Sequence, residues 1–170
     1  YLPHNQRPGQ FRHYASRCRN TMMEIRLEVI SKAELSELRE EALEVPFLWH
    51  GVPLIFSMAR GKTIDIVFGS DKAAEPVPPQ IILAGAMSPF RERVYKALMN
   101  VPRGTTVSYS QLAAIAGHPT AVRAVATAVA RNPFACLVPC HRVVPANGST
   151  GRYRWGEKLK AALLELEKQP

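Results

Sequence analysis

The sequence predicts an α/β protein in two parts. A small N-terminal α/β domain with a short antiparallel sheet is expected over residues 21–86, and a mainly helical C-terminal domain over 87–170. The second part is expected to hold a helix-turn-helix and a cysteine loop. Three observations lead there. Up to Ala84, apolar and polar residues alternate in short runs, with a glycine-centred turn between two of them. From Ser88 onward the period becomes helical, and serine caps open the stripes. Acidic residues vanish between Glu92 and Glu157.

Taken in order, residues 1–20 read as an irregular basic arm in which Arg7, Arg12, Arg17 and Arg19 have no acidic counterpart. Its origin is left open between a tail, a cloning remnant and the end of an upstream domain. Residues 24–30 alternate as a strand. Ser31 to Glu34 is a capping box, followed by Leu35, Leu38, Ala42 and Val45 on one helical face, with Pro46 ending the helix. Val52–Ala59 and Thr63–Phe68 read as strands joined around Arg60-Gly61-Lys62. A Pro-rich connection over Asp71–Pro79 leads to a strand over Gln80–Ala84. None of this carries visible chemistry, and it reads as scaffold.

Ser88-Pro89 then caps a helix with Phe90, Val94, Ala97 and Leu98 inward, which Pro102-Arg103-Gly104 stops. Ser108 and Gln111 form another capping box, opening a short helix with Leu112 and Ile115 inward and Gly117 at its end. A third helix runs from about Thr120 to Arg131. Two short helices around a glycine-containing turn suggest a helix-turn-helix. The third helix sets Val122, Val125 and Val129 on its core face. Its other arc carries Thr120, Arg123, Ala124, Thr127, Ala128 and Arg131. Small residues and arginines without glutamate suit close approach to DNA, although an Ala-rich helix packed on another helix has the same period. The last helix, about Glu157 to Lys168, places Leu159, Ala162, Leu163 and Leu166 on one face. Glu167 sits at the edge of that arc. Spacing alone favours a solvated Glu; a carboxylate turned inward would need a partner such as a histidine.

Composition sets the bounds. The 170 residues are 46% hydrophobic and 21% charged, which suits a folded core rather than disorder. No apolar run approaches the roughly 18 residues of a membrane span, and no hydrophobic leader is present. The chain begins at Tyr1, so a natural N-terminus is expected to lie upstream. Cys18, Cys136 and Cys140 form no even framework, so reduced thiols in a bacterial or archaeal cytoplasm, or a eukaryotic nucleus, are expected. The cysteine and histidine pairs of a zinc module are absent. The net charge is +8, and the acid-free stretch alone holds eight cations, leaving 14 cations against all 14 acids elsewhere. That distribution is the footprint of a surface for a polyanion, with nucleic acid the leading candidate.

The chemistry concentrates at Pro139-Cys140-His141-Arg142-Val143, reached through the apolar, strand-like run Phe134–Val138 and left by a Gly/Asn-rich loop. A thiol needs a neighbouring base or positive charge to become a nucleophile at neutral pH. A lone buried cysteine is the bland alternative.

Together with Pro102-Arg103-Gly104, Val107–Leu112, Ala121–Val125, Arg131-Asn132-Pro133 and Gly151–Gly156, this motif resembles the O6-alkylguanine-DNA alkyltransferases (methylated-DNA–protein-cysteine methyltransferases). The resemblance runs from about Ser88 to Glu167 and is loose over 21–85. It implies DNA repair by direct reversal: O6-alkylguanine, mainly O6-methylguanine, is flipped from the duplex and its alkyl group passes irreversibly to Cys140. It implies that His141 draws the thiol proton through a water and that Glu167 orients His141. Tyr109 is implied to rotate the nucleotide and protonate the departing guanine, Arg123 to fill the gap in the stack, and Asn132 to act as a hinge. Ser108, Thr120, Ala121, Ala124, Thr127, Arg131 and Arg142 are implied to meet DNA. Pro139, Val143, Tyr153, Arg154 and Trp155 are implied to line the pocket, with the carbonyls of Cys140 and Val143 accepting from the guanine amino group and bulky Arg154 and Trp155 restricting large adducts. No cofactor or metal is implied, and the partner is double-stranded DNA carrying O6-alkylguanine, bound by a monomer. Three competing readings are weaker. A damage sensor that only binds would lack Cys140. A transcription factor would need more base-reading side chains on its helix. A Cys-His-Glu hydrolase leaves the basic stretch unexplained.

Overall fold

The computed structural model describes residues 23–71 and 73–169, so the basic arm at 1–20, with Cys18, lies outside the described residues. The chain divides into two compact units between Ala86 and Met87. No helix among the described residues is long and apolar enough to cross a membrane.

The first unit contains β1 (Glu24–Val29), α1 (Lys32–Glu41), β2 (Leu43–Trp49), β3 (Val52–Ala59), β4 (Lys62–Phe68), β5 (Glu75–Pro76) and β6 (Gln80–Gly85). Their order in one sheet is β1-β6-β4-β3-β2-β5. Only β2–β3 and β3–β4 are antiparallel; β1–β6, β4–β6 and β2–β5 are parallel. The short antiparallel sheet expected from sequence is therefore a larger mixed one, because parallel neighbours are not announced by a hairpin turn. The Ser31 hydroxyl accepts from the Glu34 amide at 3.0 Å, as the capping box requires. Leu38 of α1 is fully buried with Ile30, Ala59, Ile64 and Ala84.

Helix α1 stops at Glu41, and the stretch expected to continue it through Val45 is instead strand β2, with Pro46 inside it. Pro46 is tolerated by parity. Leu48, two residues on, turns its carbonyl outward to the Val77 amide at 3.0 Å, so Pro46 also faces that outer edge. Strand β5 pairs with β2 only at Phe47 and Leu48, and the missing N–H of Pro46 breaks no ladder bond. His50 and Gly51, with φ of 48° and 81°, make the tight β2–β3 turn that the sequence reading missed.

The second unit contains α2 (Pro89–Met99), β7 (Val107–Ser108), α3 (Tyr109–Ile115), α4 (Val122–Ala130), a 3-10 turn (Cys140–Arg142), β8 (Val143–Val144) and α5 (Glu157–Glu167). Ser88 accepts from the Arg91 amide at 3.2 Å, and Ser108 and Gln111 close their box from both sides. Val94, Leu98, Leu112, Ala113, Val125 and Phe134 are fully buried. Two assignments on α3 and α4 differ from expectation. Ile115 is 57% exposed, because α3 faces inward through Leu112, Ala113 and Ala116, an arc that Ile115 misses. Ala128, expected on the outer arc of α4, is buried beside Val125 and Val129. The parallel pair β7–β8 joins Val107 to Val143 and Ser108 to Val144. It thereby ties the start of α3, at Tyr109, to the chain that leaves Cys140.

Candidate active site

The segment Phe134–Val143 is buried throughout. It is not the strand its apolar run suggests, for it turns twice. The Leu137 amide donates to the Ala135 carbonyl at 2.8 Å around Cys136, whose φ is 67°, the rarer and more strained hand of a three-residue turn. The Cys140 amide donates to the Val138 carbonyl at 2.8 Å around Pro139, at φ −80° and ψ 65°, the relaxed hand that a proline ring favours.

Backbone groups so turned cannot join a sheet ladder, and Asn132 serves them instead. Its Oδ1 accepts from the Phe134 amide at 2.9 Å, and its Nδ2 donates to the carbonyls of Val138 at 2.8 Å and Phe134 at 3.3 Å. The same Nδ2 lies 3.2 Å from the Cys140 Sγ. Asn132 is fully buried, so one side chain holds both the approach to the nucleophile and the nucleophile itself.

Beyond the thiol, α5 supplies two charged side chains that reach inward. His141 Nε2 lies 2.8 Å from Glu167 Oε1. Burial pushes the Glu167 carboxyl up, but hydrogen bonds from His141 and Arg142 and their nearby charges outweigh it and hold the group at about 2. An ionised carboxylate only accepts, so Nε2 carries a hydrogen, and in the neutral form of the ring that leaves Nδ1 as the acceptor. Nδ1 is buried and has no protein partner.

Arg142 was expected at the DNA surface. It is 8% exposed instead, and its guanidinium donates to both Glu167 oxygens and, through Nη1, to the Val101 carbonyl at 2.8 Å. A carboxylate drawn into the interior needs such a partner more than solvent does. Lys160, which sequence reasoning passed over, is fully buried; its Nζ donates to the carbonyls of Val143 at 2.7 Å and Arg152 at 3.2 Å. Its seven-residue spacing from Glu167, with Leu163 between them on the same face, was the signal that could have found it. Ala162, expected on that face, is exposed.

Burial pushes the Cys140 thiol up to about 11, against smaller downward pulls from the Asn132 hydrogen bond and the charges of Lys160 and Arg154. The resting group is a protonated thiol, and its activation requires a base. Tyr109, half-buried at the first position of α3, is also pushed up by burial and further by Cys140. Thr120, Arg123, Ala124, Thr127 and Arg131 are exposed along α4, while Ala121 and Ser108 are half-buried.

The α4 face and the thiol are linked through its C-terminal end. Tyr95 donates to the Ala128 carbonyl at 2.9 Å, and Arg91 donates to the Arg131 carbonyl at 3.0 Å. Arg154 donates to the Asn132 carbonyl at 2.8 Å. Of the residues expected to line a pocket, Pro139 and Val143 are buried, Tyr153 and Trp155 half-buried and Arg154 exposed. Their rings stack in sequence: Tyr153 meets His141 edge-on at 6.4 Å and Trp155 at 5.2 Å, and the Arg154 guanidinium lies 5.3 Å from the Trp155 centroid. Among the described residues, no three His, Cys, Asp or Glu side chains gather as a metal site would require.

Residues 89–169 match the family model "6-O-methylguanine DNA methyltransferase, DNA binding domain". The chain is 54% identical over 80 residues to the regulatory protein Ada of Salmonella typhimurium, covering 47% of this chain and 23% of that protein. It is 51% identical over 79 residues to a methylated-DNA–protein-cysteine methyltransferase of Mycobacterium bovis, covering 46% of this chain and 48% of that one. The chain thus spans no more than about half the length of these curated relatives. A crystal structure of Mycobacterium tuberculosis OGT in complex with DNA matches with a TM-score of 0.60 at 30% identity, covering 74% of this chain and 92% of that one. A model match across nearly all of the site-bearing unit, joined to a solved relative covered almost end to end, means that the chain belongs to the 6-O-methylguanine DNA methyltransferase family.

Proposed function

We propose that this chain repairs DNA by direct reversal, moving the alkyl group of O6-alkylguanine, mainly O6-methylguanine, from duplex DNA onto Cys140 in a single turnover. The observation that carries the reading is the buried series Cys140, His141 and Glu167, in which the carboxylate holds His141 Nε2 at 2.8 Å and leaves the buried Nδ1 without a protein partner.

The alkyl carbon of a stacked base is out of reach of a fixed thiol, so the nucleotide must be flipped out at a cost of a few kcal/mol. Helices α3 and α4 act as the helix-turn-helix, with α4 laid against the duplex. Arg123 fills the gap in the stack, and Ser108, Thr120, Ala121, Ala124, Thr127 and Arg131 meet the sugar-phosphate backbone. Tyr109 turns the nucleotide at its phosphate. The cation-only stretch between Glu92 and Glu157 offsets the flipping cost through phosphate contacts.

In the pocket, the Cys140 thiol gives its proton through a water to His141 Nδ1, and Glu167 stabilises the resulting imidazolium. The sulfur attacks the alkyl carbon, an S–C bond forms, and the C–O6 bond breaks with its electron pair going to the base. Tyr109 protonates the departing base and recovers a proton from the imidazolium side, so the products are guanine and an S-alkylcysteine. That thioether is a poor leaving group and is not hydrolysed, so the molecule acts once. A solved M. tuberculosis relative described in complex with DNA supports DNA as the partner.

Mass spectrometry of the intact chain after mixing with a duplex carrying one O6-methylguanine tests this. One added methyl group, mapped to the peptide containing Cys140 and absent in Cys140→Ala, is the expected result. Lesion-dependent binding without any added methyl would turn the reading into that of a sensor.

A further inference from the structure

Helix α4 ends without a glycine cap. Its C-cap residue, Arg131, has φ −93° and ψ 4°, outside the left-handed region, and its last turn carries no basic side chain. The carbonyls at that end are served from α2 instead. Tyr95, fully buried, donates to the Ala128 carbonyl at 2.9 Å and accepts from Arg91 Nε at 2.8 Å. Arg91 Nη2 donates to the Arg131 carbonyl at 3.0 Å, and the guanidinium lies 5.3 Å from the Tyr95 ring centroid. Burial pushes the Tyr95 hydroxyl above its ordinary value, against the pull of Arg91, so it stays a neutral donor. By the logic of its own helix Arg91 is misplaced. It stands in the first turn of α2, where its amide bonds the Ser88 cap and where the positive end of a helix disfavours a cation. Its guanidinium reaches across to the negative end of α4, where a cation is favoured. A broken local rule of this kind points to a task elsewhere in the fold. The Arg131 carbonyl belongs to the peptide that carries the Asn132 amide. Arg91 therefore holds the root of the residue whose side chain bonds the Val138 carbonyl and stands 3.2 Å from the Cys140 Sγ.

We propose that Arg91 and Tyr95 are positioning residues for the Cys140 thiol: they lock the carbonyl end of α4 and so fix the place from which Asn132 holds the sulfur. This rests on the alkyl-transfer reading and gives α2 a part in it. Two other roles for the pair make different predictions. An Arg91 that met phosphate would contribute to duplex affinity and its salt dependence, and its loss would leave the step at the sulfur alone. A pair that only stabilised the unit would lower Tm when removed and leave both affinity and rate alone in the folded protein.

The test combines three measurements on the full chain at a temperature where every variant is folded. They are single-turnover methyl transfer from a saturating O6-methylguanine duplex, affinity for undamaged duplex across a salt series, and solvent exchange of the Asn132 side-chain amide protons. Heteronuclear NMR reads the exchange, with the resonances assigned by their loss in Asn132→Ser. Arg91→Ala is expected to slow the saturated transfer about tenfold, the loss of one charge-assisted hydrogen bond, and to speed the Asn132 exchange. Duplex affinity and its salt slope are expected to stay as they are. Tyr95→Phe keeps the ring and removes only the hydroxyl, so a slowing of about fivefold is expected, and it replaces the alanine variant if that one does not fold. Because the two side chains act through one hydrogen-bonded chain, the double variant is expected to lose less than the product of the two single losses. Arg91→Lys, which restores one donor to the Arg131 carbonyl, is expected to recover part of the rate. An unchanged saturated rate, or a loss confined to affinity, overturns the proposal. If the unaltered chain takes up no methyl group, the alkyl-transfer reading is what fails. The Asn132 exchange then decides the positioning on its own, and an exchange rate that does not move overturns it.

Discussion

Replacing Arg142 with methionine separates two accounts of this residue. Its guanidinium donates three hydrogen bonds to Glu167 and one to the Val101 carbonyl from a position 8% exposed. Methionine keeps most of the side-chain volume, so the cavity contribution is small and the electrostatic one is isolated. Glu167 is left buried with His141 as its remaining partner, and the Val101 carbonyl loses its donor. Breaking a buried ion pair from one side costs about 3–5 kcal/mol, and the His141 contact keeps the loss near the lower end. For a unit of this size that is a fall in Tm on the order of 10–25 °C. Urea and thermal unfolding followed by circular dichroism measure it. The double variant Arg142→Met/Glu167→Leu should recover most of the loss, because two apolar side chains leave no orphaned charge. Meanwhile the salt dependence of binding to undamaged duplex should not change. An Arg142 that met phosphate would do the opposite: stability within about 0.5 kcal/mol of the unaltered chain, and a salt slope smaller by about one unit. That pair of results would refute the internal placement of Arg142.

Two further outcomes follow from the same end of α5. The Glu167 carboxyl is held at about 2, below its unfolded value of roughly 4.3, so its contribution is complete above that value and is lost as pH falls toward 2. Glu167→Gln should flatten the acid limb of an unfolding-versus-pH profile between about 4.5 and 2 and slow methyl transfer at least about tenfold by releasing His141; a profile of unchanged shape would count against the pairing. Gly104 has a φ of +84°, and a Cβ there would stand 3.0 Å from the Glu167 carbonyl oxygen. Gly104→Ala should cost about 1–3 kcal/mol by urea unfolding and slow transfer by shifting Glu167, and a neutral effect on both would remove the turn from the support of the site.

What the sequence disclosed, and what it hid, divides along physical lines. Local chemistry was legible: Ser31, Ser88 and Ser108 each cap the helix assigned to them, and Arg60-Gly61 turns the β3–β4 hairpin. Those signals need only the side chain and the next few residues. The mistaken helix through Val45 had the same source, since Pro46 ends a helix and also suits the outer edge of a strand, and only the sheet order decides which. Cys140 and His141 were legible as a pair of reactive types, whereas spacing alone favoured a solvated Glu167 and only the family resemblance implied its bond to His141. Arg142 and Lys160 were not legible. A buried cation has no periodic signature of its own; it is specified by the partners it meets, and those lie far along the chain at Glu167, Val101, Val143 and Arg152.

The placement of Glu167 and Lys160 on α5 also bears on how the protein is made. Synthesis runs from the N-terminus, so Cys140 and His141 leave the ribosome before the helix that holds them. Until α5 has emerged and docked, His141 has no carboxylate to fix its tautomer, and the Val143 carbonyl has no ammonium to hold it. A nascent chain therefore carries its thiol without the apparatus that activates it. Under the proposed alkyl transfer, that order guards the thiol, because the group is armed only by the last helix of the unit.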